Sequence, residues 1–112
     1  MSQDLIFHVV SRRKWKSQNK GGNFKPDTYS VGNEIECVTA ENLNNYLNER
    51  FNGRKNLLII VIDKYRLANS TRRDKETGKV YIEHSINIDA ILDKIRIDAG
   101  KEGKFDVTVS AD

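Results

Sequence analysis

Six apolar residues in a row, Leu57-Leu58-Ile59-Ile60-Val61-Ile62, stand out in a chain whose other hydrophobic residues come in groups of three at most. The run is rich in β-branched residues and does not alternate with polar ones, which predicts a central strand covered on both faces. Just upstream, Leu43, Tyr46, Leu47 and Phe51 recur at spacings of three and four. They predict an amphipathic helix, capped by Thr39 and closed by Gly53 in a left-handed conformation. Asp63 to Leu67 then leaves the strand as a tight turn. The stretch from Phe51 to Leu67 therefore joins a helix end, a turn and a buried strand, and it locates the centre of the fold.

Around that centre the pattern predicts shorter elements. Leu5 to Val10 reads as a half-buried strand with Ile6, His8 and Val10 on one face. Ser11 can cap a short helix through about Lys16, anchored by Trp15 and ended by Gly21-Gly22. The segment from Gly22 to Gly32 reads as a loop. Pro26 and Asp27 favour a turn in it, and Asn23, Phe24 and Tyr29 could cover a pocket. Glu34 to Val38 reads as a second strand. Ala68 to Lys79 is polar and predicts an exposed loop or hairpin with Gly78 at its tip. Strand-like alternation resumes from Val80 to Ile86, followed by a short helix capped by Asn87 with Ile88, Ile91 and Leu92 inward. Ile95 and Ile97 start another strand, and beyond Gly100-Lys101-Glu102-Gly103 the alternation of Phe105, Val107 and Val109 predicts a closing antiparallel hairpin. The sum is an α+β fold.

The length, 112 residues, suits one domain spanning residues 1–112. With 38% hydrophobic and 31% charged residues the chain can build a core and keep a solvated surface. The apolar run at Leu57 is far short of the roughly 20 residues that cross a bilayer, and Met1-Ser2-Gln3-Asp4 lacks the basic segment of a signal peptide. A cytoplasmic protein without membrane attachment is the expectation. Cys37 is the only cysteine, which excludes an internal disulfide and any cysteine metal cluster.

The net charge of +3 is too small to argue for a nucleic-acid partner. Its distribution is uneven, because Arg12, Arg13, Lys14, Lys16, Lys20 and Lys25 crowd the first quarter around Trp15. Such a mixture could meet phosphates and stack a base. Charge runs more often simply solvate a face, and that reading is preferred here.

Several chemistries are excluded by spacing. No glycine pattern has the phosphate-loop or dinucleotide-binding form, and His8, Cys37 and His84 are not paired at zinc-ligand spacing. No metal is expected. A Cys37–histidine nucleophile pair would need an exposed, electropositive thiol, whereas a cysteine on a short strand is more often buried and inert. His8, between apolar neighbours in a strand, must hydrogen-bond in the core or line a pocket. His84 lies in a second strand-like segment. Glu36 and Glu83 are the carboxylates nearest these histidines in the strand plan, so a histidine and a glutamate in one cleft could orient a hydroxyl or act as general base.

The segments Ile6-Phe7-His8-Val9-Val10, Trp15, Gly22-Asn23-Phe24-Lys25-Pro26-Asp27-Thr28, Arg54 with Leu57 to Leu67, and Ile82 to Ile91 resemble an uncharacterised bacterial family, domain of unknown function 952. The resemblance runs from Asp4 to Ile97 and leaves the last hairpin as an addition. It implies a fold similar to the ADP-ribosyltransferase group, with two small, mostly antiparallel sheets and flanking helices around a cleft. In NAD-using relatives that cleft holds the dinucleotide. His8 takes the position of a first-strand histidine that would hold the nicotinamide ribose, and His84 that of a late histidine. The family's Ile-His-Cys-Ser run appears here as Ile35-Glu36-Cys37-Val38, placing an anion where a neutral ring is usual and removing a hydroxyl. A late acidic residue corresponds to Asp74 or Glu76.

Three functions follow as expectations. The first is a non-catalytic domain binding a small nucleotide-like ligand such as NAD or ADP-ribose in a cleft near His8, Trp15, Glu36 and His84. The second is an enzyme that transfers ADP-ribose or hydrolyses NAD, with an acidic group stabilising an oxocarbenium ion. The third is an interaction module that meets nucleic acid or an acidic partner through Arg12, Arg13, Lys14 and Lys16.

Overall fold

A strand with six apolar side chains and no polar face has to be roofed on both sides, and the architecture follows from that demand. The computed structural model describes residues 5–20, 22–25 and 34–105. Along the chain these form β1 (Leu5–Ser11), α1 (Arg12–Gln18), β2 (Asn19–Lys20), β3 (Asn23–Phe24), β4 (Glu34–Cys37) and α2 (Leu43–Arg50). They continue as β5 (Leu57–Asp63), β6 (Thr71–Arg73), β7 (Val80–Glu83), β8 (Ile86–Asn87) and β9 (Ile91–Ile97). The strands make three antiparallel sheets, ordered β1-β5-β9, β2-β3-β8 and β4-β7-β6. The resemblance implied two.

β5 lies at the centre of the first sheet. It pairs with β1 from Leu5 opposite Asp63 to Ser11 opposite Leu57, and with β9 from Leu57 opposite Ile97 to Ile62 opposite Ile91. On one face, Ile6, Val10, Leu58, Ile60 and Ile62 pack with Trp15 and Phe24 and with Ile35, Cys37, Val80 and Ile82 of the β4-β7-β6 sheet. On the other, Phe7, Val9, Leu57, Ile59 and Val61 pack under Leu43, Tyr46 and Leu47 of α2 and under Phe105. β1 is thereby buried on both faces, not half-buried as its flanks suggested. Phe7 and Val38 join the first and third sheets by two backbone hydrogen bonds of 2.8 Å.

Local signals were obeyed where they concerned single turns. Ser11 Oγ accepts from the Lys14 amide at 3.2 Å and caps α1, and Gly53 closes α2 with φ of 80°. Asp63 accepts from the Tyr65 amide at 3.0 Å in the turn after β5. Thr39 does not cap through its hydroxyl. It precedes a 3-10 turn, Ala40–Asn42, that leads into α2, and its Oγ1 accepts from the Asn42 side chain instead.

Two predicted elements take another form. The segment Val80 to Ile86 breaks at His84, whose φ of 64° ends β7, and Ile86 resumes pairing in a different sheet, opposite Phe24. The helix expected after Asn87 is a single 3-10 turn, Ile88–Ala90, that runs straight into β9. Ile91 and Leu92 lie in this strand, where the register shifts between Val61 and Ile62 and leaves Leu92 between the pairs Ile62–Ile91 and Val61–Asp93. That bulge resets the alternation and puts Leu92 in solvent. Phe105 is buried beneath α2. Pro26, Asp27, Tyr29, Val107 and Val109, and with them the expected Pro26–Asp27 turn and closing hairpin, lie outside the described residues.

Glu36 is a charged residue placed inside this packing. It is 8% exposed, on the β4 face that meets α2. Its carboxylate accepts from Arg50 Nη2 at 2.9 and 3.1 Å and from the Tyr46 hydroxyl at 3.3 Å, and it pairs with Lys79 Nζ at 3.0 Å. Burying a carboxylate costs several kcal/mol unless cations and donors replace its water. Here they do, and the cluster ties β4 to α2 and to the hairpin that ends at Lys79. Burial and the Glu36 charge together push the Tyr46 phenol above its ordinary pKa.

Ile60→Ala is expected to cost about 2–5 kcal/mol in urea unfolding, whereas Leu92→Ala on the exposed bulge should change stability by less than about 0.5 kcal/mol. Arg50→Met or Lys79→Met alone leaves Glu36 one cation and should cost roughly 1 kcal/mol. The double variant should lose more than the sum, about 3–5 kcal/mol, because an uncompensated carboxylate then remains buried. Strict additivity in a double-mutant cycle would show that the cluster does not act as one unit.

Candidate functional site

His8 lies mid-strand in β1, opposite Ile60 of β5, between the apolar Ile6 and Val10 that share its face of the strand. Its Nδ1 is 2.9 Å from the Glu36 carbonyl oxygen. A carbonyl only accepts, so Nδ1 carries the proton and, in the neutral ring, Nε2 is a bare acceptor. Burial pushes the His8 pKa below its ordinary 6.5, against the opposing pull of the Glu36 carbonyl and carboxylate. The ring is therefore neutral at pH 7. Nε2 has no hydrogen-bond partner among the described residues, and the side chain is only half-buried.

The wall beside His8 is aromatic. Its ring centroid is 5.6 Å from that of Phe24, which lies 5.0 Å from Trp15 at an interplanar angle of 31°. Phe24 is fully buried and Trp15 is 8% exposed, while Lys94 Nζ sits 5.4 Å over the indole from β9. The site consists of one neutral acceptor on a half-buried ring beside an apolar row. Such a group can receive a hydroxyl or amide hydrogen from a ligand that lays an apolar surface nearby.

Of the four residues expected to share a cleft, the structure gathers two. His8 and Trp15 lie on the same row, joined by Phe24. Glu36 reaches His8 only through its backbone carbonyl, since its carboxylate is on the opposite face of β4 and bound by Arg50 and Lys79. It cannot serve as a base for His8. His84 is exposed at the turn after β7 and Glu83 beside it is exposed too. The strand plan allowed a histidine and a glutamate to meet in one cleft, but the left-handed backbone at His84 turns the chain out of the sheet.

Other candidates resolve into structural roles. Cys37 is fully buried, and burial together with the Glu36 charge raises its thiol pKa far above the reactive range. Asp74 accepts from the Glu76 amide at 2.9 Å in the turn of the β6–β7 hairpin. Among the described residues no group of three or more His, Cys, Asp or Glu side chains could hold a metal ion. No helix among them is long and apolar enough to cross a membrane.

The basic segment keeps its cations but loses its aromatic. Trp15 faces inward, while Arg13, Lys14, Lys16 and Lys25 are exposed. Arg12 is half-buried, with its amide donating to the Asn56 carbonyl at 2.9 Å and Nη1 3.4 Å from Asn56 Oδ1. Sequence reasoning missed Arg50 and Lys79 as partners of Glu36, and Lys94 as the cover of Trp15. The Tyr46–Arg50 spacing of four on α2 was the one available hint.

No protein-family model matches the chain, and no curated protein matches it. Solved structures do. The crystal structure of protein CC0527 from Caulobacter crescentus is similar over 89% of this chain and 91% of that one, with a TM-score of 0.74 at 16% identity. The solution NMR structure of CC0527 is similar over 93% of this chain and 91% of that one, with a TM-score of 0.68 at 17% identity. A likeness at this identity speaks of fold and not of activity, and on that ground the chain shares the α+β fold of CC0527.

Proposed function

We propose that this chain is a non-catalytic binding domain, of ADP-ribosyltransferase-like fold and related to the family of domain of unknown function 952, that takes a small nucleotide-like ligand at His8. One observation carries the reading: Nε2 of His8 is an unprotonated acceptor on a half-buried ring beside an apolar row, held in that tautomer by the Glu36 carbonyl. A ribose hydroxyl of NAD or ADP-ribose is a donor of the right kind for it, and the aromatic row offers a surface to a ring. Binding is favoured over turnover because the Glu36 carboxylate is engaged by two cations on the far face of β4. An enzyme of the ADP-ribose-transferring or NAD-hydrolysing kind would need an acid beside the ribose. A cytoplasmic location accords with one buried cysteine that asks for no oxidising compartment.

Titration calorimetry with NAD and with ADP-ribose at pH 7.5 should show binding of at least one. His8→Ala should weaken it about fivefold to tenfold, the effect of one hydrogen bond of roughly 1 kcal/mol. Affinity should hold down to about pH 6.5 and fall only below it, because protonation of His8, whose folded pKa lies below the ordinary value, turns Nε2 from acceptor to donor. Stability should decline over the same acid range, since the unfolded chain takes up this proton at a higher pH than the native state does. No binding of either ligand would refute the proposal. Release of nicotinamide on overnight incubation, abolished by His8→Ala, would replace it with the enzymatic reading.

A further inference from the structure

The described structure sorts its cations into two classes. Arg50, Lys79, Arg72 and Arg66 each pair with a carboxylate, on Glu36, Glu34 or Asp63. Arg13, Lys14 and Lys16 of α1 and Arg96 of β9 form no ion pair among the described residues, and the Lys94 ammonium meets only the Trp15 ring, its backbone amide alone donating to Asp93. These unpaired cations are far apart in sequence and close in the fold. α1 packs through Trp15 onto the sheet face that carries Ile60 and Leu58, and Lys94 and Arg96 stand opposite those two residues on that same face. Lys94 Nζ over the Trp15 ring fixes the contact between the two elements at 5.4 Å.

The surface around them is poor in acids. No aspartate or glutamate occurs between Asp4 and Asp27. Asp93 pairs opposite Val61 and so faces the other side of the sheet. Asp98, just beyond β9, is held by the Asn56 amide at 2.6 Å at the margin of the face. A field of one sign over adjoining elements attracts a polyanion and gives no benefit to folding, because like charges brought together repel.

We infer that this face, formed by Arg13, Lys14 and Lys16 of α1 with Lys94 and Arg96 of β9, binds the phosphate backbone of duplex nucleic acid without regard to sequence. The aromatic content decides the form of the partner. Single strands are held by stacking bases on exposed aromatic rings, and both aromatics here, Trp15 and Phe24, are buried. A membrane surface is met by apolar side chains beneath a basic rim, and the only apolar residue of α1 is the inward-facing Trp15. What remains is a set of exposed ammonium groups and forked guanidiniums, suited to the closely spaced phosphates of a duplex.

Fluorescence anisotropy with a labelled 20-base-pair duplex of mixed sequence, at salt concentrations from 50 to 200 mM, tests the inference. Kd should rise about 10²-fold across that range, a slope of log Kd on log salt of roughly 3 to 5 for four or five phosphate contacts. The pair Lys94→Gln and Arg96→Gln should lower the slope by about two, and the triple Arg13→Gln, Lys14→Gln, Lys16→Gln by about two to three. All are exposed positions, so thermal midpoints should stay near that of the parent chain. The pair Arg73→Gln and Lys75→Gln, on the β6–β7 hairpin, should change neither Kd nor slope. The inference is overturned by absence of duplex binding at 50 mM salt, or by a slope that the β9 pair leaves unchanged. It is equally overturned if the single strand of the same length binds more tightly, or if anionic phosphatidylglycerol vesicles bind and the duplex does not.

Discussion

The burial of β5 on both faces is the constraint on which the rest of the structure depends. A strand without a polar face gains its stability only if a second layer covers each side, at roughly 25 cal/mol for every Å² of apolar surface removed from water. One layer is α2 with Phe105, and the other is the β4-β7-β6 sheet with Trp15 and Phe24. Because β1 pairs with β5 along its whole length, it is covered twice as well. A polar residue placed in β1 then has few ways to be satisfied, and His8 is the one residue that meets this condition by reaching a backbone carbonyl.

The same arrangement divides the two charged features of the molecule. β4 presents Ile35 and Cys37 to the core and, by strand alternation, Glu36 to α2. The carboxylate is thus sealed on the helix side with Arg50, Lys79 and Tyr46, while its carbonyl is left for His8. One residue serves both faces through different atoms. On the face of the first sheet that carries Ile60, α1 and β9 set around Trp15 the cations Arg13, Lys14, Lys16, Lys94 and Arg96, which form no ion pair among the described residues.

Much of this was legible in the sequence wherever one local rule acted alone. The unbroken run from Leu57 to Ile62, the spacing of Leu43, Tyr46 and Leu47, the Ser11 cap and the left-handed Gly53 all kept the form their residues suggested. What could not be read came from long-range pairing. Ile88, Ile91 and Leu92 fit a helical period, yet pairing beside β5 draws Ile91 and Leu92 into a strand with a bulge, the same strand that Ile95 and Ile97 were expected to start. Nothing local to Glu36 reveals that Arg50 and Lys79 neutralise it, and the contact separations of 14 residues or more lie beyond any periodic pattern. For the site, the strand plan placed His8 on the right face but overlooked its carbonyl partner. The inward anchoring of the first helix by Trp15 was legible too, and the structure packs the indole on Phe24 and under Lys94.

The functional account turns on the state of one ring. If His8 is an anchored neutral imidazole with its acceptor nitrogen unoccupied, the apolar row has a polar end that a ligand can use; if not, the row is only core. Nitrogen-15 NMR of the histidine side chains, followed from pH 8 to pH 5, reads that state directly. A His8 signal of the Nδ1-protonated neutral form that persists below pH 6.5 is the predicted result. A His8 ring protonated at Nε2, or one that gains its second proton at or above pH 6.5, would contradict it.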